Sequence, residues 1–202
     1  MLLPVIGTLL FFILYIIAAC YYPGGSQADA NSTGFSWVNN YFCNLLSEIA
    51  INGQVNTARP IALTAMIVVC LTLSLFWFIF PLFADISKSS KLIIQISGIS
   101  AMISAMFIFT ELHDLVIDIS GLLGLVALVG TFRALYKMDN YKMLIWGIVN
   151  LLLVALNNYI YYTKWQYACL PMIQKITFLS FLLWICSINI NLYRKKINLN
   201  FK

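Results

Sequence analysis

Six apolar stretches of about 20 residues, separated by polar breaks, dominate the chain: Leu2–Tyr22, Ile61–Phe83, Leu92–Leu112, Leu115–Leu135, Met143–Tyr162 and Ala168–Leu192. That length is what a helix needs to cross a hydrocarbon core of about 30 Å, where the backbone must satisfy its own hydrogen bonds. No stretch alternates polar and apolar residues as the strands of a membrane barrel do. The pattern predicts an all-α fold: a polytopic membrane protein forming one six-transmembrane-helix bundle over residues 1–202. The first stretch resembles a secretory signal in length but lacks a preceding Lys or Arg, so it is read as a membrane helix.

The longest polar break, residues 23–59, opens with Pro23-Gly24-Gly25 and is rich in Asn and aromatic residues. Ser36 is suited to cap a short interfacial helix over 37–51, with Gly53 ending it. At helical spacing Trp37, Tyr41, Leu45 and Ile49 share one side, and Asn40, Asn44 and Glu48 form an adjoining row. The segment is expected to lie on the bundle as an outer cap. Arg59-Pro60 then opens the second long helix, where proline is tolerated in the first turn.

Polar positions inside the apolar stretches add detail. Ser97, Ser100 and Ser104 fall on one face of the third helix, and that face continues to Glu111. Small hydroxyls there, and Gly121, Gly124 and Gly130 in the fourth helix, favour close helix crossing. The turn Thr110–Asp118 concentrates Glu111, the single histidine His113, Asp114 and Asp118. Asp118 is placed in the first turn of the fourth helix, where the helix dipole favours a carboxylate. Asn150, Asn157 and Tyr161 share a side of the fifth helix. Gln174 and Lys175 fall about 10 Å into the sixth, at 1.5 Å per residue.

Composition excludes a soluble globule: 62% of residues are hydrophobic and 9% charged, with a mean hydropathy of +0.90, against roughly 25% charged in soluble domains. The net charge of +5 does not form a basic face interleaved with aromatics, so no nucleic-acid partner is expected. It sorts by loop instead. One side of the six-helix topology holds Lys88, Lys91, Arg133, Lys137, Lys142, Arg194, Lys195, Lys196 and Lys202, and the other Arg59 and Lys164. Since Lys and Arg gather on the cytoplasmic side, the expected location is the cytoplasmic membrane, both termini inside and loop 23–59 outside. The five cysteines lack CxxC spacing. Cys43 and Cys169 share the outer side, where an oxidising compartment would permit a disulfide.

The same topology gathers Asn44, Glu48, Arg59, Glu111, His113, Asp114, Asp118, Asn157 and Tyr161 at the outer face, with Lys175 just beneath. Ionisable groups near a membrane core are costly enough that they usually pair or line a cavity, and Lys175 with Glu111 or Asp118 is the expected pair. Aromatic residues beside carboxylates and amides suit a pocket for a lipid headgroup or small polar ligand. Glu111, His113 and Asp114 are also candidate ligands for zinc or another divalent metal. A bound metal there would activate water for lipid hydrolysis, although no HExxH or paired-histidine spacing accompanies them. A third reading makes the chain a helix-packing subunit of a homo-oligomer or a larger membrane complex.

The first helix ending in Pro23-Gly24, the pair Ser47-Glu48 before Gly53, and the pair His113-Asp114 at the third-to-fourth turn resemble the bacterial six-helix membrane proteins grouped as the domain of unknown function 998 family. The resemblance covers nearly the whole chain, apart from the Asn-rich insertion Gln27–Tyr41. It implies a six-helix bundle and no established activity. A more distant likeness, to the membrane hydrolases that include alkaline ceramidases and progestin-receptor-like proteins, implies a zinc site built on several histidines with an aspartate and a serine. This chain has one histidine, so that mechanism does not carry over intact.

Overall fold

The computed structural model describes residues 1–110 and 112–200; Glu111, Phe201 and Lys202 lie outside the described residues, as do the side chains of His113, Lys196 and residues 198–200. The described residues form six α-helices and no strand: α1 (Leu3–Cys20), α2 (Arg59–Ile79), α3 (Lys88–Ala105), α4 (His113–Lys137), α5 (Tyr141–Thr163) and α6 (Leu170–Asn200). Five of them, all but α3, are long and apolar enough to cross a membrane. In its 18 residues α3 carries Lys88, Lys91, Gln95 and five serines.

Two compact units divide the chain: Met1–Leu9, Ile67–Gly147 and Leu183–Lys202 form the first, and Leu10–Met66 with Ile148–Leu182 form the second. In the first, α3 follows α2 through a 3-10 turn at Phe80–Phe83, where Pro81 stops the α-helix. Ser87 caps α3 by accepting the Ser90 N–H. Gly98 on α3 faces Trp77 so closely that a Cβ would overlap the indole, and a Cβ on Gly147 would stand 2.8 Å from Trp184 Cζ2. Trp184 also donates its indole N–H to the Met143 carbonyl at 2.7 Å. Glycine thus seats tryptophan at both contacts, and the large rings lie fully buried. Gly130 meets Ile94 in the same way, whereas Gly121 and Gly124 face open space among the described residues. Of the three glycines expected to mediate close crossing, only Gly130 does so.

The second unit holds the C-terminal parts of α1 and α5 and the N-terminal parts of α2 and α6, with the loop between α1 and α2. In place of the helix expected over 37–51 stands one 3-10 turn, Phe42–Leu46. The backbone begins a helix, since Asn40 N–H donates to the Ser36 carbonyl at 2.9 Å. Asparagine side chains then take over: Asn40 Oδ1 accepts the Ser36 N–H at 2.8 Å and Asn44 Oδ1 accepts the Tyr41 N–H at 2.7 Å. Such local side-chain bonds offer the backbone an alternative to the helical ladder. The four residues expected on one apolar side consequently separate, with Leu45 fully buried and Trp37 and Ile49 exposed. Two other boundaries also move. The serine face of α3 ends with the helix at Ala105, before Glu111, and α4 begins at His113, so Asp114 occupies its first turn and Asp118 lies one turn further on.

Replacing Gly98 by valine is expected to cost about 1–3 kcal/mol through overpacking against Trp77. Gly121→Ala should be neutral or stabilising by up to about 1 kcal/mol. Thermal unfolding of the two purified variants checks this, and equal losses from both would refute the assigned α3 contact.

Candidate functional site: the asparagine-braced cap

The cap of the second unit is built on the turn that ends α1. Gly25 has φ +82°, and a Cβ there would come within 2.7 Å of the Ile51 carbonyl carbon, so both conformation and space require glycine. Its N–H donates to Ser32 O at 2.7 Å, its carbonyl accepts from Asn40 Nδ2 at 2.8 Å, and the neighbouring Gly24 carbonyl accepts the Asn52 N–H at 3.2 Å. One turn therefore holds three separate parts of the loop.

Asn56 holds the rest. Its side-chain amide donates to the carbonyls of Asn44 (3.1 Å), Leu45 (3.2 Å) and Ser47 (2.8 Å), and its Oδ1 accepts the Ala58 N–H at 3.1 Å. The residue is 3% exposed and Asn40 is fully buried. Carbonyls left over by the short 3-10 turn gain donors from within the protein, as burial demands. Neither Asn40 nor Asn56 stands out in the sequence as a site residue, because asparagine is as common in solvated loops as in buried braces.

Lys175 joins the cap from α6. Its ammonium donates to the carbonyls of Asn40 and, at 3.1 Å, Pro171. The Phe42 and Phe35 rings stand 5.5 and 5.7 Å from Nζ, within the range of cation–π attraction. The preceding residue, Gln174, accepts the Phe42 N–H at 3.2 Å, and Tyr15 donates to the Phe42 carbonyl at 3.1 Å. Below them Phe11, Tyr15, Phe42 and Phe178 form a cluster with ring centroids 4.8 to 5.8 Å apart. Among the described residues no carboxylate comes within ion-pair distance of Lys175, so Asp118 is not its partner; the other expected partner, Glu111, lies outside the described residues. The carbonyls and aromatic faces make Lys175 a clamp between the cap and α6.

The charged pair is Glu48 with Arg59, 2.9 Å apart and the one salt bridge among the described residues. Arg59 Nε also donates to the Leu46 carbonyl at 3.1 Å, which fixes the guanidinium plane. The Arg59 side chain is 28% exposed and the Glu48 side chain 75%, so the pair presents both signs of charge to the surroundings from a braced backbone. Solvent screening makes such an exposed pair worth little to stability.

Those of the remaining expected site residues that are described make contacts of their own or belong to the first unit. Asn157 on α5 donates to Thr177 Oγ1 at 2.7 Å and to the Leu153 carbonyl at 2.8 Å. Tyr161 is exposed, with Lys164 4.3 Å from its ring centre. Asp114 and Asp118 belong to α4 in the first unit and are exposed. Glu111 and the His113 side chain lie outside the described residues. Among those described, no three His, Cys, Asp or Glu side chains come together as a metal-holding group. Cys43 and Cys169 are free thiols. Burial pushes the Cys43 thiol above its ordinary value, opposed in part by backbone N–H groups and the Lys175 ammonium. Burial likewise raises the Tyr22 phenol, against the Ile51 N–H that donates to it.

The chain matches no family model, no curated protein and no solved structure. What the site can do is accordingly argued from its own chemistry.

Asn56→Asp keeps the shape but sets a carboxylate against three carbonyls; the cap should loosen, at a cost of about 2 kcal/mol or more, and limited proteolysis should cut within residues 23–58 several-fold faster. Cleavage at the wild-type rate would mean that Asn56 does not brace the loop. For the thiols, a water-soluble maleimide at pH 7 should modify Cys169 well before Cys43, and the Cys43 rate should keep rising with pH beyond the point where an ordinary thiol levels off. Comparable rates at neutral pH would contradict the buried placement of Cys43.

Proposed function

We propose that the chain is a six-span protein of the bacterial cytoplasmic membrane, with both termini in the cytoplasm, whose outer cap binds a lipid headgroup or small polar ligand at Glu48 and Arg59. The observation that carries this reading is the pair itself. An arginine held by a backbone carbonyl stands beside a carboxylate that is mostly exposed. Guanidinium suits a phosphate or carboxylate group, and the glutamate suits an ammonium, so the pair complements a zwitterionic headgroup. A rigid backbone beneath them lowers the ordering cost of binding.

The topology rests on counting α3 as the sixth span. Its 18 residues reach about 27 Å at 1.5 Å per residue, close to the hydrocarbon thickness, and six spans place most of the Lys and Arg on one side. The Pro23-Gly24, Ser47-Glu48 and His113-Asp114 motifs support kinship with the domain of unknown function 998 family.

The test is photo-crosslinking of a zwitterionic phosphatidylethanolamine probe to protein in vesicles, comparing wild type with Glu48→Gln and Arg59→Gln. Cap labelling should fall severalfold in each variant while the cap keeps its protease resistance. Equal labelling of all three proteins, or no labelling of residues 23–59 in the wild type, would reject the headgroup reading.

A further inference from the structure

A second, chemically different site lies in the first unit, where the α4–α5 turn faces the C-terminal part of α6. Asp139, Asn140, Asn191, Arg194 and Lys195 line a groove of about 320 Å³, at the lower end of the range for small-molecule sites. The spacing of Asn191, Arg194 and Lys195 puts them on one face of α6, one turn apart. The turn opposite is fixed from both ends: Met138 N–H donates to Ala134 O at 3.0 Å and Asn140 N–H to Leu135 O at 3.0 Å, while the Asn140 carbonyl accepts the Leu144 N–H at 3.0 Å. Asp139 adopts the left-handed conformation, φ +53°, that closes this helix end.

The lining carries two cations against one anion, and the anion is engaged, since Asp139 accepts a hydrogen bond from the Tyr141 hydroxyl at 3.1 Å. Among the described residues Arg194 and Lys195 have no carboxylate within ion-pair distance. Arg133, Lys137 and Lys142 are exposed on the neighbouring ends of α4 and α5, so the surrounding field is also positive. Tyr136 and Tyr141 stack edge to face at 5.8 Å beside it, a placement typical of the headgroup level. Guanidinium, ammonium and two side-chain amides converging on a groove are donors in want of an acceptor-rich anion.

We infer that this groove binds an anionic phosphate group, presented by a phosphomonoester lipid headgroup or by a soluble phosphate compound. Arg194 supplies paired N–H donors to two phosphate oxygens, Lys195 a point charge, and the amides of Asn140 and Asn191 the remaining donors. Basic pockets between membrane helices commonly hold such headgroups. The site is independent of Glu48 and Arg59.

The test is native mass spectrometry of the detergent-solubilised full chain with phosphatidic acid, and separately with glycerol phosphate and inorganic phosphate. Arg194→Gln with Lys195→Gln should lower phosphatidic acid occupancy about tenfold. Asp139→Asn should raise it severalfold: asparagine tolerates the left-handed backbone and can still accept from Tyr141, so the fold is kept and one repulsion is lost. Retention of phosphatidic acid alone identifies a lipid headgroup, and displacement by glycerol phosphate or inorganic phosphate identifies a soluble ligand; either supports the site. Failure of the wild type to retain any of the three, or equal binding by all variants, overturns it.

Discussion

The second unit depends on the Asn56 side chain reaching three consecutive stretches of carbonyl in the loop it belongs to. A chain leaving a membrane helix carries unsatisfied carbonyls, and returning to helix at once is the usual remedy. Here the chain runs for nearly 40 residues between α1 and α2 with a single 3-10 turn. It can do so because buried asparagines, with Gly25 as the anchoring turn, supply donors where the helical ladder is absent. Arg59 extends the same logic, since the guanidinium that satisfies Leu46 O is held beside the Glu48 carboxylate.

Lys175 illustrates how a cation on a membrane helix is surrounded when no carboxylate among the described residues pairs with it. Two carbonyl oxygens and two aromatic faces surround the ammonium, each contributing a partial negative charge. One of those carbonyls comes from Pro171, one turn earlier on α6, whose oxygen has a second lone pair to offer the ammonium. The other belongs to Asn40, a residue itself held by Gly25. The lysine is therefore part of what fastens the cap, and the charges proposed to meet a ligand are Glu48 and Arg59.

The two proposed sites differ in chemistry as the two units differ in construction. The cap offers a matched pair of opposite charges on a loop braced by side chains. The groove beside α6 offers an excess of positive charge on helix ends braced by backbone bonds. Close glycine–tryptophan contacts at Gly98 and Gly147 pack the helices of the first unit.

By itself the sequence determined that the chain is helical, because a backbone in hydrocarbon must form a helix or a closed barrel and long apolar runs without alternation leave the helix. It also pointed to the loop 23–59, and to Glu48 and Arg59, through the rarity of charge in the chain. It misread the helix over 37–51, since apolar spacing says nothing of whether an asparagine side chain will compete for the same N–H groups. The partners of Lys175 were beyond its reach as well. Asn40 and Lys175 are 135 residues apart, and only the packing of α6 against the loop brings the Asn40 carbonyl to the ammonium. The groove at Asp139 and Arg194 is of the same kind: each half is an ordinary charged helix end, and the groove exists only because tertiary structure sets the two halves face to face.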